Sequence, residues 1–467
     1  MDVLYKCDVP KKAFKLWFKM NERTKISVVT GSGQTEYEDI GECLGQGSAG
    51  GSIASAANLS DGVDLYFNPA KGGGSGDELS YGAVALRPII FQDDLARCCL
   101  SRNSAQAGNI KLSQMAKSKQ LEFHPDKTGF IILGNKKKVE EIRKEISENP
   151  IYCGDFITKE KPQERWLGDI SHSGGLAQSV LSTIQERSGK IKGAIFETAA
   201  LIQDYRLQSA GGLMSGIYIW QLTIVQSLLS NSEMWTEIST EATKTPEGLH
   251  KLFLQILLQV PSSTPGPSFY WETGMLELRY EVMKRKLNFI NNLKQMDDNK
   301  LAKKIFNEQK KNKWPGLIQE CDDICDEIGL PRISASDINK CEINEALKQH
   351  NKQKLVTEMK GMSKLKENSE GEFERSPYLD NKNVVEARAM FRVKSGTFPC
   401  KMNRRSDPTF SRELWLCEEC GQVDTMSHVA VCAAYQPLRE GKDINNDKHL
   451  AEYMAAVMKV RSRLWKK

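Results

Sequence analysis

The sequence predicts an α+β chain, and three observations carry that prediction. Up to about residue 170, short apolar runs broken by Gly, Pro and Asp alternate with helical stretches. From about 176 to 330, apolar residues recur at three- and four-residue spacings, the period of a helix face. From about 386 onward a compact end carries Cys and His at fixed intervals. These shifts divide the chain into 1–170, 171–330, 331–385 and 386–467. The third part is polar and Lys/Glu-rich, and is expected to be a helical connector or partly disordered.

A chain of 467 residues is long enough for more than one domain. Its 12 cysteines are too few for a disulfide scaffold at this length. No charged, apolar and small-residue leader opens the sequence, so a reducing compartment, nucleus or cytoplasm, is expected. The net charge of +5 permits a nucleic-acid partner without demanding one. The most apolar stretch, 216–229, is interrupted by Gln221 and Gln226 and is too short to span a bilayer. No membrane partner is expected.

In order along the chain, "PKKAFKLWFKM" (10–20) reads as an amphipathic helix, with Phe14, Trp17 and Phe18 on its apolar side. "TKISVVT" (24–30) and "EYEDIGECL" (36–44) bracket a turn and predict a hairpin. Small residues fill 45–67, where 49–59 is compatible with a tightly packed helix. "KGGGSGDELS" (71–80) is a loop. "RPIIFQDDLARCC" (87–99) reads as a buried apolar strand ending in two carboxylates, with Cys98 and Cys99 packed behind the acidic turn. A helix is expected over 109–121, strand–turn–strand over 121–134, a charged helix over 136–148 and a Gly-punctuated turn over 165–175. Two further helices cover 176–208 and 275–296. Residues 284–313 hold ten Lys/Arg against three acids, a net of +7. That is either a solvated face or a track for backbone phosphates.

The acidic pair, Asp93 and Asp94, poses a chemical question. Adjacent residues of a strand point to opposite faces, so both cannot enter one core. At a tight turn they can share a metal. Nucleotidyl transfer uses carboxylates to hold two divalent cations about 3.5–4 Å apart, and Mg²⁺ takes hard oxygen ligands. A plain surface turn also produces Asp-Asp. Upstream, Gln46 and Gly47 lie in a Gly-rich turn. Downstream, Lys127 precedes an apolar run.

In this order, "GQGSAGG" (45–51), "FQDD" (91–94), "HPDKTGFIILG" (124–134) and "RWLGD" (165–169) resemble the palm blocks of the reverse transcriptases of non-LTR retrotransposons. The resemblance implies an incomplete right-hand polymerase palm, then a helical thumb and connector. It implies Asp93 and Asp94 as Mg²⁺ ligands and Lys127 as the group meeting the leaving pyrophosphate. Gln46 and Gly47 would line the template and incoming nucleotide, and Trp166, Leu167 and Gly168 would grip the primer end. Phe91 stands where the family usually has Tyr, and Gln92 where it has a small residue. The family's further catalytic Asp, on an earlier palm strand, has no counterpart before Pro10. The chain is therefore expected to begin downstream of it, leaving the two-ion site incomplete and the polypeptide inactive by itself. The implied activity is RNA-directed DNA polymerase, with an RNA template, a DNA primer and deoxynucleoside triphosphates as partners. The alternative is a non-enzymatic nucleic-acid-binding protein derived from such an element.

A second constellation is Cys417-x2-Cys420-x7-His428-x3-Cys432, within "CEECGQVDTMSHVAVC". Two thiolates on a tight turn, followed by His and Cys one helical turn apart, form a closed four-ligand set suited to structural Zn²⁺. Around it, "ARAMFRVKSG" (387–396) reads as a basic amphipathic helix and "KMNRR" (401–405) adds charge. Arg388, Arg392, Lys394, Arg404 and Arg405 are candidate phosphate contacts, or else a solvated basic face. Residues 387–439 also resemble the Cys/His module downstream of the polymerase in these elements. His124 and His172 each sit alone in a turn and are read as capping or surface groups.

Overall fold

The computed structural model describes residues 79–91, 94–203, 205–235, 240–366, 370–404 and 415–464, with short pieces between 25 and 67. The expected helix at 10–20 and the turn holding Gln46 and Gly47 lie outside the described residues, as do Gln92, Asp93 and Arg405. Helix dominates. The chain divides into two compact units, one of Met1–Leu167, Ser171–Gly175 and Asp298–Asn312, the other of Gly168–Ile170, Leu176–Asp297 and Lys313–Lys467.

In the first unit β1 (Lys25–Ile26) pairs antiparallel with β4 (Glu38–Asp39), and β2 (Val29–Thr30) with β3 (Gly33–Gln34), nested as the predicted hairpin. β5 (Ser80–Tyr81) and β6 (Val84–Ala85) form a second hairpin. β7 (Ile89–Phe91) pairs with β8 (Asp94–Ala96), Phe91 opposite Asp94. The period of two turns Ile90 and Leu95 toward a small core of Leu59, Val63, Phe67, Leu112 and Met115. Ile89 and Phe91 are about half exposed, at 47% and 51%, so the run is not the buried strand its composition suggests. One strand face is too little area to cover both sides. Cys98 and Cys99 are exposed and do not pack behind this hairpin.

α1 (Arg102–Ser118) starts at Ser101, whose side chain accepts from the Ser104 N–H. It begins before the expected 109, because the Ser101 cap starts the helix upstream, with Ser104 and Gly108 buried on its inner side. Of the predicted strand–turn–strand at 121–134, only β9 (Gly129–Phe130) is a strand. α2 (Lys136–Glu148) is capped by Asn135 and has the predicted bounds. β10 (Tyr152–Cys153) and β11 (Phe156–Ile157) form a hairpin, and β12 (Lys159–Glu160) runs parallel to β9. β13 (Gln163–Trp166) and β14 (Asp169–His172) close the series as a two-stranded pair. Every sheet among the described residues is two-stranded, so they do not assemble a multi-stranded palm sheet.

The second unit is helical. Its core draws on α3 (Leu176–Gln203), α4 (Tyr205–Ile219), a π-helical turn at Trp220–Ile224, α5 (Val225–Leu228), α6 (Thr240–Leu258), α7 (Gly266–Thr273) and α8 (Leu278–Gln295). Ile195, Ile202, Leu213, Leu254 and Phe269 are fully buried there. Trp220 stacks on Phe253 and His250, with ring centroids 4.6 and 5.0 Å away. Gly212 breaks α4 with φ +58°, and a Cβ there would meet the Asn381 carbonyl at 3.0 Å. α9 (Leu301–Asn312) belongs to the first unit, where Glu308 accepts from the Ala83 N–H at 3.1 Å. α10 (Leu317–Ile328) and α11 (Lys340–Lys360) follow, the latter begun by a full capping box of Asn339 and Glu342. That cap and the buried Ile343, Leu347 and Leu355 explain why this polar part is helix.

α12 (Val384–Lys394) is central. Ala387 and Phe391 enter the helical core, while Ala389 enters a second core with Phe398, Cys417, Val429 and Tyr453. α13 (Met426–Val431), α14 (Gln436–Arg439) and α15 (Asp447–Leu464) complete that end. Among the described residues, no helix is long and apolar enough to cross a membrane.

Candidate metal centre

The Cys/His segment builds its site from a tight turn and a short helix. Leu416 and Val423 form an antiparallel bridge, and the Cys417 N–H donates to the Gln422 carbonyl at 2.7 Å. Between them Gly421 has φ +73°, a conformation glycine adopts without cost, and its N–H returns to the Cys417 carbonyl at 2.9 Å. This reversal brings Cys417 and Cys420 together. Thr425 then caps α13 by accepting from the His428 N–H at 3.0 Å. His428 and Cys432, four residues apart, fall on one face of the helix and its end.

The ligand atoms of Cys417, Cys420, His428 and Cys432 all lie within 4.8 Å of one another. Cys420 Sγ is 3.3 Å from His428 Nε2 and 3.8 Å from Cys432 Sγ. Cys417, His428 and Cys432 are buried, and Cys420 is exposed. Three soft thiols and one imidazole, converging without a carboxylate, fit a tetrahedral ion such as zinc in a closed structural site. Backbone hydrogen bonding at Gln422 lowers the Cys420 thiol from its ordinary value, toward the thiolate a metal needs. Burial raises that of Cys432. Among the described residues this is the single cluster of three or more His, Cys, Asp or Glu able to hold a metal.

Three residues around the site went unread in the sequence. Gln422 Oε1 lies 3.2 Å from His428 Nδ1. Asp424 and Arg461 form a buried ion pair at 2.6 Å. The signal for Arg461 was present, since it continues the apolar stripe Met454, Val457 of α15 and so needed a buried carboxylate.

Two of the basic residues, Arg388 and Arg392, turn to backbone carbonyls. Arg388 is 7% exposed, and its Nε and Nη2 donate to the Leu257 carbonyl at 3.1 and 2.9 Å. Arg392 donates to the Gln259 carbonyl. Both therefore satisfy the end of α6, where helix carbonyls lack partners. Burial, with Arg392 nearby, holds the Arg388 guanidinium down to about 10. The helix is covered on two faces, so the reading of Arg388 as a surface phosphate contact is corrected. Lys394 is half-buried. Arg404 lies in a 3-10 turn, Lys401–Arg404. In the 284–313 span, Lys286 is buried against Glu320, Lys284 pairs with Glu281, and Arg285 donates to the Leu229 carbonyl and Gln226. Lys286 and Arg285 thus tie α8 to its neighbours, while the Lys284–Glu281 pair lies within α8.

At the acidic hairpin, Asp94 is exposed at the start of β8. Lys127 is exposed in a turn, its carbonyl accepting from Lys161 Nζ at 3.1 Å. Leu167 and Gly168, with φ of +49° and +86°, are the two residues between β13 and β14. Left-handed values at both positions mark the type I′ hairpin turn. Arg187 Nη2 donates to the Gly168 carbonyl at 2.8 Å and to Asp169 Oδ1 at 2.7 Å. Trp166 is half-buried. His124 Nδ1 accepts from the Asp126 N–H at 3.2 Å and His172 Nδ1 from the Gly174 N–H at 2.8 Å, both as local caps. Compared with known proteins, the chain matches no protein-family model and no curated protein.

Proposed function

We propose that this chain works on nucleic acid as a portion of an RNA-directed DNA polymerase of the non-LTR retrotransposon kind, its far end built around a structural zinc ion. The observation that carries the reading is the form of two of the ordered sequence blocks. The aromatic-x-Asp-Asp block brackets a tight antiparallel hairpin, Phe91 opposite Asp94, and the Leu-Gly block turns a second one. In this reading Asp93 and Asp94 serve nucleotidyl transfer, Lys127 meets the leaving pyrophosphate, and Gln46 and Gly47 face the template and incoming nucleotide. Trp166, Leu167 and Gly168 support the primer end, and Lys394, Arg404 and Arg405 supply phosphate contacts.

For magnesium, the described residues supply Asp94 but no cluster of further carboxylates around it. They do not by themselves make a Mg²⁺ site. A second reading needs no such site: a chain that binds nucleic acid without extending it. Primer extension on poly(rA)/oligo(dT) with Mg²⁺, alongside hybrid binding at several salt concentrations, tests both, and extension separates them. Binding that weakens steeply with salt is expected. Extension abolished by Asp93→Ala would establish the polymerase and contradict the expectation that its two-ion site is incomplete. Binding without extension is expected both of a polymerase portion that lacks its further catalytic Asp and of the second reading. Neither binding nor extension would overturn both.

A further inference from the structure

The metal cluster is joined to the C-terminal helix through an ion pair that touches no ligand. Asp424 is 2% exposed and Arg461, on α15, is 3% exposed. The pair is bidentate, Arg461 Nη2 to Asp424 Oδ1 at 2.6 Å and Nη1 to Oδ2 at 2.9 Å. Nη1 also donates to the Pro399 carbonyl at 2.8 Å, and the Lys401 N–H donates to Asp424 Oδ2 at 2.7 Å. The guanidinium lies over the Tyr435 ring, 5.3 Å from its centroid. One side chain of α15 thus grips the bend at Pro399, the end of the Cys/His turn at Asp424 and the segment after α13.

The position of Asp424 in the chain makes this grip relevant to the metal. It follows Val423, which closes the Cys417–Cys420 turn through its bridge to Leu416, and precedes Thr425, the cap of the helix carrying His428. The Asp424 N–H donates to the Trp415 carbonyl at 2.8 Å. Asp424 therefore stands between the two ligand-bearing halves. A second tie runs from α15 to the same helix, where the Tyr453 hydroxyl donates to the Val429 carbonyl at 2.8 Å.

We propose that Asp424 and Arg461 are positioning residues of the metal centre: docking of α15 through this pair sets the angle between the thiolate turn and α13, and so sets metal affinity. The inference rests on the zinc reading of the cluster. Because coupling between two sites is reciprocal, metal binding must hold α15 in place to the same extent. Residues that orient ligands without touching the ion change metal affinity about 10- to 100-fold when removed.

The test uses the full chain, stripped of metal and titrated with Co²⁺ and Zn²⁺ against a chromophoric chelator. Arg461→Met and Asp424→Asn are expected to weaken both metals by about 10-fold or more and to change the Co²⁺ visible bands, with Arg461→Lys in between. Affinity and bands equal to wild type, with stability lowered equally in the metal-free and metal-loaded forms, would show a merely structural pair and overturn the proposal. Should the variants not fold, hydrogen exchange on the wild-type chain gives the converse measurement. Amides of α15 are expected to lose protection when the metal is removed, and unchanged protection would overturn the coupling. A wild-type chain that takes up neither metal would instead remove the metal centre itself, and this inference with it.

Discussion

His428 turns Nδ1 toward the side-chain oxygen of Gln422, 3.2 Å away, while its Nε2 lies 3.3 Å from the Cys420 sulfur. A proton on Nδ1, donated to Gln422, leaves the Nε2 lone pair for the metal. Gln422→Leu removes that acceptor while keeping the bulk. Zinc affinity measured by chelator competition is expected to fall by about 10-fold. Unchanged affinity would mean that the turn alone orients the ring.

Arg388 predicts a loss of stability without a loss of phosphate contact. Arg388→Ala leaves the Leu257 carbonyl without its two donors and opens space between α6 and α12. The expected cost is about 2–4 kcal/mol, read as a shift in denaturant midpoint with the slope unchanged. The salt dependence of nucleic-acid binding is expected to stay as in wild type, since a buried guanidinium displaces no counterions.

A buried pair of titrating groups in the helical core predicts two opposed pH slopes. Burial pushes the Glu247 carboxyl up from 4.5 to about 7, and burial pushes the His250 imidazole down from 6.5 to about 3. The stability due to Glu247 is full below 4.5 and is lost as pH rises through 7. That due to His250 is present above 6.5 and is lost as pH falls toward 3. Between 4.5 and 6.5 the two slopes oppose each other. Glu247→Gln is expected to become more stable as pH rises through that window, and His250→Phe less stable. Thermal unfolding at five pH values reads both, and parallel curves would contradict the assignment.

Gly212 predicts a backbone effect. With φ +58° and the Asn381 carbonyl 3.0 Å from a would-be Cβ, Gly212→Ala must bear both left-handed strain and a close contact. A destabilisation of about 1–3 kcal/mol is expected, seen as a lower unfolding midpoint. A neutral result would show that α4 straightens to accept the side chain.

How much was legible in advance follows the range of the interactions concerned. α2 was read to its ends because its charged face is a local signal, and Asn135, which caps it, lies just before it. The four metal ligands were read because here they happen to lie close in sequence, the turn and helix that carry them spanning only 16 residues, 417–432. Arg388 was misread because its partner, the Leu257 carbonyl, is 131 residues away. A helix with one apolar face and a helix covered on two faces differ little in sequence when arginine is among the buried residues. The exposure of Ile89 and Phe91 was hidden for a related reason: an apolar run specifies what would gain from burial, not whether enough chain arrives to bury it. Asp424 and Arg461, 37 residues apart, are visible as a pair only once α15 is seen against the Cys/His turn.

The most direct measurement on the central claim is the metal content of the purified full chain, by elemental mass spectrometry, for wild type and Cys417→Ser. The account predicts close to one zinc ion per wild-type chain and a small fraction of that in the variant. Full zinc content in Cys417→Ser, or none in the wild type, would contradict it.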